Sequence, residues 1–251
     1  MSPTHQPAPG ARPANEQTET EAAAHVQSLF NAIAPSYDRL NHLLSFGLDR
    51  LWWSRAARRF APILQNPEAC VLDLCCGTGD MTSALMALRP ANAEPVTGLD
   101  FSAEMLGRAR SKYAAANALW VEGDAMHLPY PDASFDLVTA AFGFRNLSNY
   151  AAALAEIHRV LRPGGQFGIL EANHPDGLQG ALYLIYFKHL VPIIGGWISG
   201  DRAAYRYLPA SVERFPRPPQ MLALIAAAGF TEPAWDGYLL RAAGLYRARK
   251  P

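Results

Sequence analysis

The chain has 251 residues, half of them hydrophobic, with 22 basic and 22 acidic side chains and no formal net charge. That is enough apolar material for a sizeable core, and the lack of a basic excess argues against a nucleic-acid partner gripped through its phosphates. Cys70, Cys75 and Cys76 all fall within seven residues, which excludes a disulfide framework and offers no zinc-ligand spacing; the expectation is a reducing, cytoplasmic setting and no metal.

Met1 to about Gln17 is rich in Pro, Ala and Asn, has no apolar core of signal-peptide length, and reads as a disordered tail. From residue 18 onward the chain reads as one domain. Ala22–Ala34 reads as a first helix stopped by Pro35. Tyr37–Leu44 and Leu48–Pro62 read as two more, parted by Gly47, the second made amphipathic by Trp52, Trp53, Arg55, Arg58 and Arg59. From Cys70, short apolar runs alternate with helical stretches. The runs are Cys70–Cys75, Val96–Asp100, Leu119–Glu122, Phe135–Ala141 and Gln166–Glu171; the helices are about Met81–Arg89, Ala103–Ala116 and Tyr150–Leu161. This alternation predicts an α/β fold, a doubly wound, mostly parallel sheet with helices on both faces. Arg162-Pro163-Gly164-Gly165 predicts a turn before the fifth strand.

Leu178–Ser199 interrupts the rhythm with a long apolar stretch, part of a helical insertion over about 174–216. Lys188 and His189 in its middle and Pro192 beyond them argue against a membrane span. Helices over the sheet, or a lid holding an apolar ligand, suit it better. Pro219–Ala228 then reads as a helix, and about Ala234–Leu240 and Ala243–Arg249 complete seven strands.

Four constellations carry chemistry. Val71 to Asp80 runs a strand into a turn whose glycines, Gly77 and Gly79, let a ligand approach the backbone. Asp100 ends the next strand, about twenty residues on, where a carboxylate can accept hydrogen bonds from a ribose diol. The turn lacks the G-x-G-x-x-G spacing of a dinucleotide site, and Asp73 and Asp80 beside it would repel a pyrophosphate. Both acids suit the sulfonium of S-adenosylmethionine. Asp124 and Ala125, after the third strand, fall where an adenine amino group would sit. Phe142-Gly143-Phe144-Arg145-Asn146, after the fourth strand, lies where a substrate should meet the cofactor, at the carboxyl ends of the strands.

These residues bring a known family into view. From about Phe30 to Arg249 the chain resembles the C-methyltransferase family of menaquinone and ubiquinone biosynthesis. The marks are Tyr37-Asp38-x-x-Asn41, Ser45-Phe46-Gly47 with Arg50 and Trp52, and Phe142 to Asn146. Ser199-Gly200-Asp201, Tyr205-Arg206-Tyr207-Leu208, Ser211 and Phe215-Pro216 follow. The resemblance implies a class I S-adenosylmethionine-dependent methyltransferase fold and C-methylation of a prenylated quinol, demethylmenaquinol before the ubiquinone-pathway benzoquinol. It also implies that Thr78, Asp100, Asp124 and Ala125 contact S-adenosylmethionine. Ala141, Glu171-Ala172-Asn173 and Cys75 depart from the family's usual residues. On chemical grounds a quinol carbon needs its neighbouring hydroxyl deprotonated, so a base or a cationic stabiliser is required. Arg145 is the expected stabiliser; Asp201, Tyr205, Tyr37 and His174 are candidates to orient the hydroxyl or relay its proton. An isoprenoid tail implies an apolar groove and peripheral contact with a membrane.

Overall fold

Unbroken apolar runs become strands buried on both faces, as parallel sheets require. Val71–Leu74 (β1) and Val96–Asp100 (β2) are buried along their whole length. The structure, a computed structural model, describes residues 9–13, 18–35, 37–38, 42, 45, 47–173, 202–239 and 241–251; of residues 202–206 and 208 it describes the backbone. The strands Ala118–Glu122 (β3), Phe135–Ala141 (β4), Leu161–Ala172 (β5), Thr231–Tyr238 (β6) and Ala243–Arg249 (β7) join them in one sheet of order β3-β2-β1-β4-β5-β7-β6. The pairs among β1 to β5 are parallel, and β7 lies antiparallel between β5 and β6.

Alternate residues feed two cores. Leu72, Val138 and Phe167 pack on one face under Tyr150–Val160 (α6) and Pro218–Ala227 (α8), through Leu154, Ile157, Met221 and Ile225. Val71, Leu137 and Leu170 pack on the other under Leu48–Arg59 (α2) and Asp80–Met86 (α4), through Trp53, Ala57 and Leu85. The remaining described helices are Glu19–Ile33 (α1), Ala61–Leu64 (α3), Ala103–Lys112 (α5) and Arg202–Arg214 (α7). Side-chain caps set several starts: Thr18 with Glu21 boxes α1, Ser102 accepts from the Met105 N–H at α5, and Asn149 accepts from the Ala152 N–H at α6.

The elements differ from expectation where tertiary contacts intervene. The helix expected over Leu48–Pro62 breaks at Phe60, whose N–H turns back to Ala57, and Pro62 restarts it in the single turn of α3. The helix expected to reach Ala116 stops at Lys112, where Tyr113 lays its ring alongside Trp120. β5 begins before the expected turn: Leu161 pairs with Phe135, the ladder resumes at Gln166 opposite Leu137, and Arg162 to Gly165 bulge between them, Gly164 at φ +79°. Within the stretch expected to be a free tail, the Ala11 N–H donates to Leu147 O at 2.8 Å and Pro9 O accepts from the Tyr150 N–H at 3.0 Å. Leu178–Ser199 lies outside the described residues. Among the described residues, no helix is long and apolar enough to cross a membrane.

Candidate functional site

The carboxyl end of β1 turns sharply because Cys75, Gly77 and Gly79 all take positive φ, at +51°, +55° and +89°. The turn aims the Gly77 N–H at Asp100 Oδ2, 2.8 Å away, while Asp100 Oδ1 accepts from the Ser102 N–H at 2.9 Å. Asp100 is 5% exposed. Burial pushes its pKa up to about 6, against the pull of these backbone donors. A Cβ on Gly77 would meet nothing within 4 Å, so this side of the turn is open. Gly79 serves packing instead: a Cβ there would come within 2.6 Å of Trp120.

The turn borders a concave cavity at the carboxyl ends of the strands, where small-molecule sites form in such sheets. Gly77, Asp100, Asp124 and Ala125 line it together. Thr78 and Gly79 do not line it. Thr78 is buried and its hydroxyl donates to Asp38 Oδ1 at 2.5 Å. Asp124 is held by the Met126 N–H at 2.9 Å and by His127 at 3.0 Å. On the far wall, Phe142 (φ +57°) carries the end of β4 past Trp52, ring centroids 5.9 Å apart. The two loops touch, since a Cβ on Gly143 would come within 2.3 Å of Cys75 Cβ. α1 and Tyr37 close the cavity from above, with Ala23, Phe30 and Tyr37 in its lining. Gln27 Nε2 donates to Phe101 O at 2.5 Å and Ser102 Oγ to Asn31 Oδ1 at 2.6 Å, which pins α1 there.

The charge pattern stands, but on different acids from those expected. Asp73 does not reach the cavity. It is fully buried in the sheet, accepting from Thr82 at 2.6 Å and Thr139 at 2.8 Å, and burial lifts its pKa to about 7. Asp80 is neutralised by Lys112, whose Nζ bonds both Asp80 and Asp38 at 2.7 Å, while Tyr113 donates to Asp80 at 2.9 Å. Among the described residues, the acids that line the cavity are Asp100 and Asp124, and its lining contains no Lys, Arg or His. A cation fits such a pocket, whereas a pyrophosphate would find no counter-charge among the described residues. Sequence reasoning did not foresee Lys112 and Tyr113; the one available signal was the surplus of acids around the turn.

Arg145 is placed behind the cavity wall. Its guanidinium bonds Glu171 at 2.5 Å, Phe142 O at 2.6 Å and Ser211 at 3.2 Å, and Glu171 also accepts from the Arg145 N–H at 3.1 Å. Both partners are buried, and Glu171 holds the guanidinium firmly protonated although burial alone would oppose its charge. The Tyr150 hydroxyl donates to Arg145 O and that of Tyr207 to Asn146 Oδ1, so α6 and α7 clasp the Phe144–Asn146 turn. Asp201, His174 and the side chain of Tyr205 lie outside the described residues. Among those described, no cluster of His, Cys, Asp and Glu could hold a metal ion.

Solved structures share this architecture. The chain is similar to a SAM-dependent methyltransferase of Thermotoga maritima, named as a possible histamine N-methyltransferase. The TM-score is 0.64 at 19% identity, covering 90% of this chain and all of that one. It is also similar to the cyclase SpnF, with a TM-score of 0.63 at 19% identity over 98% of each chain. At such identities the likeness is one of fold.

Sequence relatives are far nearer. A demethylmenaquinone methyltransferase of Thermus thermophilus is 49% identical over 207 residues, 81% of this chain and 91% of that protein. Another, of Deinococcus radiodurans, is 47% identical over 209 residues, 82% and 84% of the two chains. The ubiquinone/menaquinone biosynthesis C-methyltransferase UbiE of Rubrivivax gelatinosus is 40% identical over 235 residues, 92% and 90%. The pattern of the ubiE/COQ5 methyltransferase family runs through residues 16–249, from α1 to the end of β7. With this sheet, this glycine turn and that span, the chain belongs to the ubiE/COQ5 methyltransferase family.

Proposed function

We propose that the protein transfers a methyl group from S-adenosylmethionine to a ring carbon of a prenylated quinol, converting demethylmenaquinol to menaquinol. The observation that carries the donor is the cavity itself, with two acids and no basic side chain among the described residues of its lining, beside an open glycine. The acceptor rests on the family and on the names of two of the relatives described above.

The residues present fit S-adenosylmethionine, which when bound supplies an electrophilic methyl on a positive sulfur. Asp100 keeps unshared acceptor capacity after taking its two backbone donors, suited to a ribose diol. Asp124, already oriented by Met126 and His127, suits an exocyclic amine, and the buried methyl of Ala125 forms an apolar floor for a flat base. Phe142, Tyr37 and Asn146 face the space left for the acceptor. Catalysis of methyl transfer rests mainly on holding donor and acceptor in line at short range. Arg145 contributes by fixing the Phe142–Asn146 loop that forms the acceptor wall. Asp201 and Tyr205 are proposed, on chemical grounds, to orient the quinol hydroxyl or relay its proton. A tail-bearing acceptor calls for peripheral contact with the inner face of a membrane. The balanced charge and an acidic, largely apolar cavity favour no nucleic-acid partner.

Incubation with labelled S-adenosylmethionine and reduced demethylmenaquinone should yield a methylated lipid. Label appearing only in a benzoquinol would move the acceptor to the ubiquinone pathway, and no labelled lipid from either quinol would refute the reading.

Lys112 offers a second check, since its ammonium bonds both Asp38 and Asp80. Lys112→Ala should raise KM for S-adenosylmethionine about tenfold, from the loss of partly exposed charge-assisted bonds worth about 1–2 kcal/mol. The expected signature is a nearly unchanged kcat and recovery with Lys112→Arg. A fall in kcat with KM unmoved would contradict this role.

A further inference from the structure

The chain is neutral overall, yet α2 carries four arginines and a single acid. That acid, Asp49, is 3% exposed and turned inward, accepting from the Arg50 N–H and pairing with His42. Arg50 and Arg55 face solvent, while Trp53, Ala56 and Ala57 anchor the helix on the sheet. Between the two arginines stands Leu51, 55% exposed, one of three large hydrophobic residues this bare among those described.

A second of the three lies on the same rim. α2 and β6 run past each other in opposite directions: Arg59 bonds Asp236, and one helical turn back Arg55 covers the Tyr238 ring at 4.9 Å. The next turn back is Leu51, which therefore reaches the edge where β6 ends and Leu239, 52% exposed, begins the turn to β7. The exposed Arg241 follows in that turn. This rim is also the entrance side of the site, because Trp52, next to Leu51, packs on Phe142 of the cavity wall.

We propose that the start of α2 and the β6–β7 turn form a docking surface for an anionic phospholipid bilayer, with Leu51 and Leu239 entering the interface and Arg50, Arg55 and Arg241 meeting the headgroups. Paired apolar tips ringed by cations are what such a surface selects. The assignment rests on the quinol reading for its purpose, and on exposure and charge for its location. It places the cavity mouth against the bilayer that holds a tailed acceptor, with Trp52 and Phe142 as the apolar threshold.

The test is co-sedimentation of the full chain with vesicles of phosphatidylcholine alone or mixed with phosphatidylglycerol. The protein should sediment with the mixed vesicles, less so as salt rises. Leu51→Asp with Leu239→Asp should cut the bound fraction about tenfold, and Arg50→Gln with Arg241→Gln by about the same factor. Leu119→Asp, at an equally exposed leucine on the opposite edge strand β3, should change nothing. Equal binding to neutral vesicles, or wild-type sedimentation by both paired variants, would overturn the proposal. Turnover of vesicle-borne quinol should fall in the paired variants, and turnover of a short-tailed quinol in detergent should hold. If no quinol is methylated, the function reading fails by itself, and sedimentation still decides the docking surface.

Discussion

Replacing Arg145 with alanine should destabilise the fold by about 3–5 kcal/mol, the cost of leaving a buried ion without its partner. Glu171 has no exposed side-chain surface and takes its charge balance from Arg145 at 2.5 Å. For a chain of this size the loss corresponds to a fall in Tm of roughly 6–20 °C. Urea titration or calorimetry reads it directly. Because the same guanidinium holds Phe142 O and Ser211, turnover should fall as well. Glu171→Gln added to Arg145→Ala should recover part of the stability by removing the stranded charge. Wild-type stability in Arg145→Ala, combined with abolished turnover, would instead assign the arginine to the developing oxyanion.

Replacing Asp100 with alanine should weaken S-adenosylhomocysteine binding by about 10²–10³-fold, the loss of two hydrogen bonds to a charged acceptor at about 1.5–3 kcal/mol each, partly offset by water. The pH dependence has a definite sign. Burial raises the Asp100 pKa to about 6 in the free protein, and a diol is held best by the ionised form. Affinity should therefore be full above about pH 7 and fall as pH drops through 6, reaching about tenfold weaker at pH 5. Asp100→Ala should show weak affinity and a flat profile over that range. Isothermal titration calorimetry at several pH values checks both; a wild-type profile that stays flat to pH 5 would remove Asp100 from the ligand.

Much of this architecture is legible in the chain because parallel strands buried on both faces leave unbroken apolar runs. Val96–Asp100, Phe135–Ala141 and Ala243–Arg249 can be read to the residue. Helix ends are less legible because distant residues decide them: Trp120 sets where α5 stops, and Phe135 sets where β5 starts. The cavity wall is legible for the same reason as the strands. Gly77, Asp100 and Asp124 each lie at or just beyond the end of a strand of known direction, so one edge collects them. The charge logic of the turn is only half legible. Asp73 points into the sheet toward Thr139, and Asp80 is paired with Lys112, which also reaches across 74 positions to Asp38. Neighbours in sequence do not reveal which acids are neutralised; only the fold does. The tie between Arg145 and Glu171 is hidden likewise, since it crosses from β5 to the loop after β4.

The antiparallel strand β7 has a consequence for how the protein comes into being. β6 touches the sheet only through β7, and β7 pairs with β5 over seven residues, Gln166 to Ala172. Until residues 243–249 emerge from the ribosome, β5 is an open edge with Phe167, Ile169 and Leu170 already committed to burial. Such an edge is a template for the wrong partner. Nascent chains stalled before β7 should be the ones that aggregate or recruit chaperones, and a late frameshift would cost the sheet two strands rather than one.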